Sequence, residues 1–346
     1  MALPGGDCHP RAPGRQRARA FLNLAPQGSI AAPPDLTTCR PSRPFSRLTG
    51  RLTGEMQVSC FVEIMRLFDG RLERAIIFLV LLRRDAWLNG PAGCPALRAG
   101  DAPQGISINA VATSLDRPFE SIRRRVNAMM ADGICARGRH GVVVTAFDRP
   151  EFLASLDRIH DSMVRLIEHF HAFGIPLPET RADTAYDRHA TIIAAIDLML
   201  GALEFVAPLF ESWRDMLAVN AVIIANARPI TFDRTLAFRY AERDTPPPAS
   251  LREPVSISAL ARGLGMPYAS VHRLVERGRV RGQIVDWRGG VMAATQFLGE
   301  DIVGTSAEQI TGRAVQAIAR LAAGGFRFDD PARCYINGKP PLVKFR

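Results

Sequence analysis

The chain has 346 residues, 47% of them apolar, with 44 basic against 34 acidic side chains and a net charge of +10. That is enough for two or three domains with real cores, and the basic excess points first to nucleic acid as partner. Six scattered cysteines (Cys8, Cys39, Cys60, Cys94, Cys135, Cys334) show no paired spacing, which speaks against a disulfide scaffold or a zinc site. No apolar secretory stretch is visible, so the expectation is a cytoplasmic protein. Lysine occurs only at Lys339 and Lys344, so the positive charge is almost all arginine, which a GC-rich genome also produces.

Residues 1–55 are rich in Pro, Gly, Ala and Arg without sustained periodicity, and are expected to be disordered. Arg11, Arg15, Arg17 and Arg19 could track phosphates as a basic arm, or the stretch could precede the start codon the cell uses. From Met56 the pattern is helical: Phe61, Ile64, Met65 and Phe68 form a stripe, Asp69-Gly70 break it, and Glu73–Trp87 resumes. Ala75–Leu82 is apolar all round and must be covered on most sides. Asn89–Gln104 reads as a loop.

Ser107 then caps a short helix, a tight turn follows at Leu115-Asp116-Arg117, and Pro118 opens a second helix that buries Ile122, Val126 and Met129/Met130. Gly133 ends that helix, and two β-prone runs, Ile134–Gly138 and Gly141–Val144, flank a basic tip. Pro150 opens a helix from Glu151 to Phe173, closed by Gly174-Ile175-Pro176. Residues 56–178 thus form a first unit around 105–146. Asp157, His160 and Asp161 share a face of its last helix, followed by Glu168, His169 and His171. Such spacing can hold a metal but is commoner on a solvated face, and no metal or cofactor is expected.

Two further helices follow, Thr184–Phe205 capped by Asp183 and Glu211–Asn226, with a break near Pro208. The apolar run Ala190–Phe210 carries Asp197 and Glu204, which would be costly in hydrocarbon, so it reads as a buried or interface helix and no membrane is implied. Thr245-Pro246-Pro247-Pro248 is a stiff spacer before residues 254–294, and Ser306 is the expected cap of a helix to Leu321, stopped by Gly324-Gly325. Residues 179–326 are the second unit and 327–346 an irregular tail.

The two units repeat. At an offset of 149 residues, Ser107–Val142 lies on Ser256–Val291 without a gap and 13 of 36 positions are identical, among them Ser107/Ser256, Pro118/Pro267, Arg124/Arg273, Gly133/Gly282 and Gly141/Gly290. Chance would give roughly two. The fold class expected is mainly α with small β-hairpin wings: two modules set among long hydrophobic helices, the product of an internal duplication.

Helix, sharp turn, helix and hairpin resemble the winged helix-turn-helix of bacterial transcription regulators of the MarR and IclR kind, most closely over "SISALARGLGMPYASVHRLVERG". The resemblance covers about 40 residues per copy and implies double-stranded DNA as partner. A helix in the major groove would offer Phe119, Glu120, Ser121, Arg123, Arg124 and Asn127 in the first copy, and Tyr268, Ser270, His272 and Arg273 in the second. Arg137, Arg139 and Arg288 would reach flanking phosphates or a minor groove from the wings. No P-loop, G-x-S-x-G, Rossmann or HExxH pattern calls for an enzyme. Two alternatives stay open: a plasmid-type replication initiator, and a scaffold whose winged helices bind protein, as in chromosome segregation. Such regulators also carry an effector pocket between long helices, and many form homo-oligomers; the sequence names no ligand.

Overall fold

The computed structural model describes residues 45–84, 105–181 and 183–345. The basic cluster before residue 45, Trp87 and the loop Asn89–Gln104 lie outside them. The first helix, α1 (Ser46–Arg66), starts well ahead of Met56 and corrects the boundary at residue 55. Its first turns read as structureless because their burial rests on polar side chains. Arg47 donates to the carbonyls of Arg243 and Leu298, and Arg51 to the Tyr240 carbonyl at 2.7 Å and the Thr231 hydroxyl at 3.1 Å, while Leu48 and Leu52 fill the core beside them. Every one of these partners is distant in sequence.

After α1 come α2 (Leu72–Arg84), α3 (Ile108–Ser114), α4 (Phe119–Ala131), the hairpin β1 (Cys135–Gly138) and β2 (Gly141–Val144), and α5 (Pro150–Phe173). The second series is α6 (Arg188–Phe205), α7 (Trp213–Thr231), α8 (Arg234–Arg239), α9 (Ile257–Leu264), α10 (Tyr268–Val280), the hairpin β3 (Ile284–Trp287) and β4 (Gly290–Ala293), α11 (Thr295–Gly299) and α12 (Asp301–Ala323).

Several helix ends differ from the sequence expectation. Helix α6 begins at Arg188 because Asp187, not Asp183, caps it, accepting from the His189 N–H at 2.8 Å. Helix α7 runs past Asn226 and through Pro229 to Thr231, capped by Ser212. Ser306 is no cap: it lies inside α12, its hydroxyl donating to the carbonyls of Ile302 and Phe205 at 2.9 and 3.2 Å. Pro118 and Pro267 stand at the N-cap rather than in the first helical position. Residues 327–345 hold no strand and only one short 3-10 turn, Pro331–Cys334, yet they are docked, with Phe328, Cys334 and Phe345 buried.

The local geometry of the two modules coincides. Ser107 accepts from the Ala110 N–H and Ser256 from the Ala259 N–H, each at 3.1 Å. Asp116 and Gly265 hold the same place in the turn with φ of +49° and +62°. Cys135 pairs with Val144 and Ile284 with Ala293, so the hairpins share one register. A third extended piece joins each, through Ile106↔Val142 and Val255↔Val291. That piece explains the shared glycine: a Cβ on Gly141 would lie 2.4 Å from the Ile106 carbonyl carbon, and one on Gly290 2.9 Å from the Val255 oxygen. The hairpin turns differ, Arg288-Gly289 having both residues at positive φ where Arg139-His140 has neither.

The long helices form the centre. Helix α1 packs on α5, and α6 on α12; across the middle, α1 meets α12 and α7 while α6 meets α5 and α2. Exchanging α1, α2 and α5 with α6, α7 and α12 leaves those contacts in place, and the α1–α6 and α2–α7 contacts map onto themselves; the α1–α2 contact has no comparable counterpart between α6 and α7. Asp197 and Glu204, the charges of the apolar α6, are taken up there by Arg320 from α12 at 3.4 Å and by Arg83 and Arg313 from α2 and α12. No described helix is long and apolar enough to cross a membrane.

Candidate nucleic-acid interface

Helix α4 is amphipathic. Ile122, Val126 and Met129 face the core, held by α2 behind them, and this leaves the opposite face outward. Phe119, Glu120, Arg123, Arg124 and Asn127 are exposed and Ser121 is half-buried; all but Phe119 line one shallow concavity. Within it the Arg123 guanidinium pairs with the Glu120 carboxylate at 2.7 Å. Arg124 has no hydrogen bond or ion pair among the described residues. Arg137 projects from β1 and Arg139 from the turn of the hairpin, both exposed and equally unpaired there.

Helix α10 repeats the arrangement on α7. Val271, Leu274 and Val275 are buried, and Tyr268, 53% exposed, stands at the start with its ring centroid 5.9 Å from that of His272. His272 lies 3.7 Å from Glu276, and Ser270 is half-buried. Arg273, the counterpart of Arg124, is exposed and has no partner among the described residues. On the hairpin the Arg288 guanidinium lies 5.7 Å from the ring centre of Trp287.

Beyond these positions the second module has further cations, and the protein's own carboxylates hold them. Arg277 pairs with Asp215 at 2.7 Å, Arg279 with Glu276 and Asp286, and Arg281 with Glu211. Sequence reasoning missed these pairs, although Arg277, Arg279 and Arg281 stand on alternate positions. The carboxylates that answer two of them lie far off, at the start of α7. It also missed Asn226, fully buried in α7, which takes the Ala293 N–H at 2.9 Å and donates to the carbonyls of Glu253 and Val291 at 2.6 and 3.2 Å. Those bonds clamp the second hairpin, through Val291 and Ala293, and the segment at Glu253 to the helix beneath. In the first module Arg117 is likewise occupied, lying 4.5 Å over the ring of Trp213 from the other half.

A cleft of about 980 Å³, its open mouth included, lies between α1, α7 and α12. Its walls are mainly apolar, with Ile224, Phe297, Leu298 and Ile310 among them, and no carboxylate lines it. Arg47, Arg51 and Arg252 do line it, nearly fully buried and bonded mostly to carbonyl groups. Burial lowers the pKa of all three, that of Arg51 to about 10.

The acid and histidine face of α5 is only partly solvated as expected: His171 is exposed and Asp157, Glu168 and His169 are half-buried. His160 and Asp161 are buried, 2.9 Å apart, and Asp161 accepts the N–H groups of Ile336 and Asn337, each at 2.9 Å. Among the described residues no His, Cys, Asp and Glu group is placed to hold a metal ion. Comparison with known protein families, characterised proteins and solved structures returns no match for this chain.

Proposed function

We propose that the chain is a sequence-specific, non-enzymatic DNA-binding transcription regulator, a duplicated winged helix-turn-helix protein whose halves act as an intramolecular pseudo-dimer. One observation carries the reading. Arg124 and Arg273, at the same place in two exposed helices, are both free of partners among the described residues, where bidentate contact to guanine requires a free guanidinium. The contacts of the long helices that survive exchange of the halves support the pseudo-dimer, because dimeric regulators present two such helices to two half-sites. Since Arg123-Arg124 differs from His272-Arg273, the half-sites are unlike and the operator is an imperfect inverted repeat.

The test is binding to random genomic fragments across a salt series, with sequencing of what is retained. Saturable retention of fragments sharing an imperfect inverted repeat is expected. Retention of origin repeats alone favours a replication initiator, and no sequence-selective retention sinks the reading in favour of a protein-binding scaffold. For the effector, buried guanidinium groups without a lining carboxylate favour an apolar molecule carrying one anionic group in the α1–α7–α12 cleft. Aryl and alkyl carboxylates should raise Tm, and their uncharged amides should not.

A further inference from the structure

The residues after α12 leave their own half. Three side chains one or two turns apart on α5, Asp161, Arg165 and Glu168, hold them on the first half. Asp161 takes two backbone N–H groups, as above. Arg165 donates to the carbonyls of Pro340 and Pro341, each at 2.8 Å, and Glu168 accepts from the Tyr335 hydroxyl at 2.6 Å and the Lys339 ammonium at 3.1 Å. The chain then crosses to the second module, where Phe345 is buried against α9.

The seat of Phe345 is particular to that module. A Cβ on Gly263 of α9 would lie 2.6 Å from the Phe345 ring, so the ring needs glycine there. The first module has Ser114 at the equivalent position, buried, with its hydroxyl donating to the Val111 carbonyl at 3.0 Å. The other side of the ring is met by the Arg228 guanidinium, 5.0 Å from its centre, and Arg228 is fixed by two bonds to Glu55 of α1 at 2.7 and 2.8 Å. One continuous run of contacts therefore joins α5, which grows out of the first hairpin, to α9, which leads into α10.

We propose that residues 326–345 are a strap that fixes the second helix-turn-helix relative to the first and so sets the spacing of half-sites the protein accepts, Phe345 being its positioning residue. The spacing claim rests on the DNA-binding reading above; the mechanical claim does not. Because the strap crosses between halves, releasing it should loosen α9 and α10 and leave α3 and α4 as they were.

Two variants test this. Phe345→Ala removes the ring, and Gly263→Ser expels it with a residue that the first module carries at that place. In both, hydrogen exchange of the α9 and α10 amides should quicken by about tenfold, with α3 and α4 unchanged. Unchanged exchange in both variants, or an equal rise in all four helices, overturns the strap. On operators with one inserted base pair, which turns one half-site against the other by about a tenth of a helical turn, the native protein should lose roughly tenfold in affinity and the variants about threefold or less. Quickened exchange with an undiminished spacing penalty overturns the spacing role. If the protein selects no DNA sequence, that role falls with the DNA-binding reading, and hydrogen exchange alone decides the mechanical claim.

Discussion

The two repeated modules have the same caps, the same hairpin register and the same third extended piece, but they treat their cations differently. In the first, Arg124, Arg137 and Arg139 stand free among the described residues, and only Arg123 of the outward set is paired, with Glu120. In the second, Arg277, Arg279 and Arg281 are all bound to carboxylates, leaving Arg273 free and Arg288 beside Trp287. The second module is also the more fastened one, clamped by Asn226 and seated against Phe345. Closely matching backbones can thus carry different electrostatics, and under the DNA-binding reading proposed above the first module would supply long-range attraction to phosphate and the second would supply position.

The largest effect tests whether the halves depend on one shared helix. A chain beginning at Met56 loses Leu48, Leu52 and the bonds of Arg47, Arg51 and Glu55, which reach into the second half. It should lose its cooperative thermal transition; an unchanged melt would show that α1 is dispensable. Leu52→Ala alone should cost about 2–5 kcal/mol by denaturant titration.

Next come the free arginines. Arg124→Ala and Arg273→Ala should each cost about 1–3 kcal/mol in operator binding, each relaxing a different half of the footprint. If Arg273→Ala changes nothing, the second module does not read DNA and the pseudo-dimer gives way to one reading head and one pairing module. A milder change should make the second module resemble the first. Glu276→Asn installs the residue found at Asn127 and releases Arg279 and His272 from a shared carboxylate. Affinity should rise by about threefold to tenfold at low salt, with a salt slope steeper by about one. An unaltered slope would break the electrostatic comparison.

The smallest effect is on pH. Burial, with Arg165 and Lys339 nearby, lowers the His169 pKa from its ordinary 6.5 to about 4. Between those values the unfolded chain binds the proton and the folded one does not. Stability is therefore full above about 6.5 and falls as the pH drops towards 4. Tm should decline by a few degrees over that window, of the order expected for a single group, and His169→Gln should flatten the decline.

The modules were legible because their signals are local. A serine accepts from an N–H three residues on, a glycine ends a helix, and the offset of 149 residues displays both twice. The candidate residues on α4 and α10 followed from the same spacing and lie outward, apart from the half-buried Ser121, Ser270 and His272. What stayed hidden depends on distant partners. Arg47 and Arg51 look like surface residues until the carbonyl groups of α8 and its surroundings come to meet them. Asp161 and His160 look solvated until residues 336 and 337 cover them. Helix α7 also outruns its expected end at Asn226 and continues over Pro229 to Thr231, although the proline gives up one N–H there.

The contacts of α1 with α12 and of α6 with α5 join helices of one polypeptide. Two separate chains packed this way would come apart on dilution, and the paired heads with them. In the pseudo-dimer proposed above, the second head would stay at a fixed effective concentration however scarce the protein is. Occupancy of a two-part operator should then follow the first power of protein concentration.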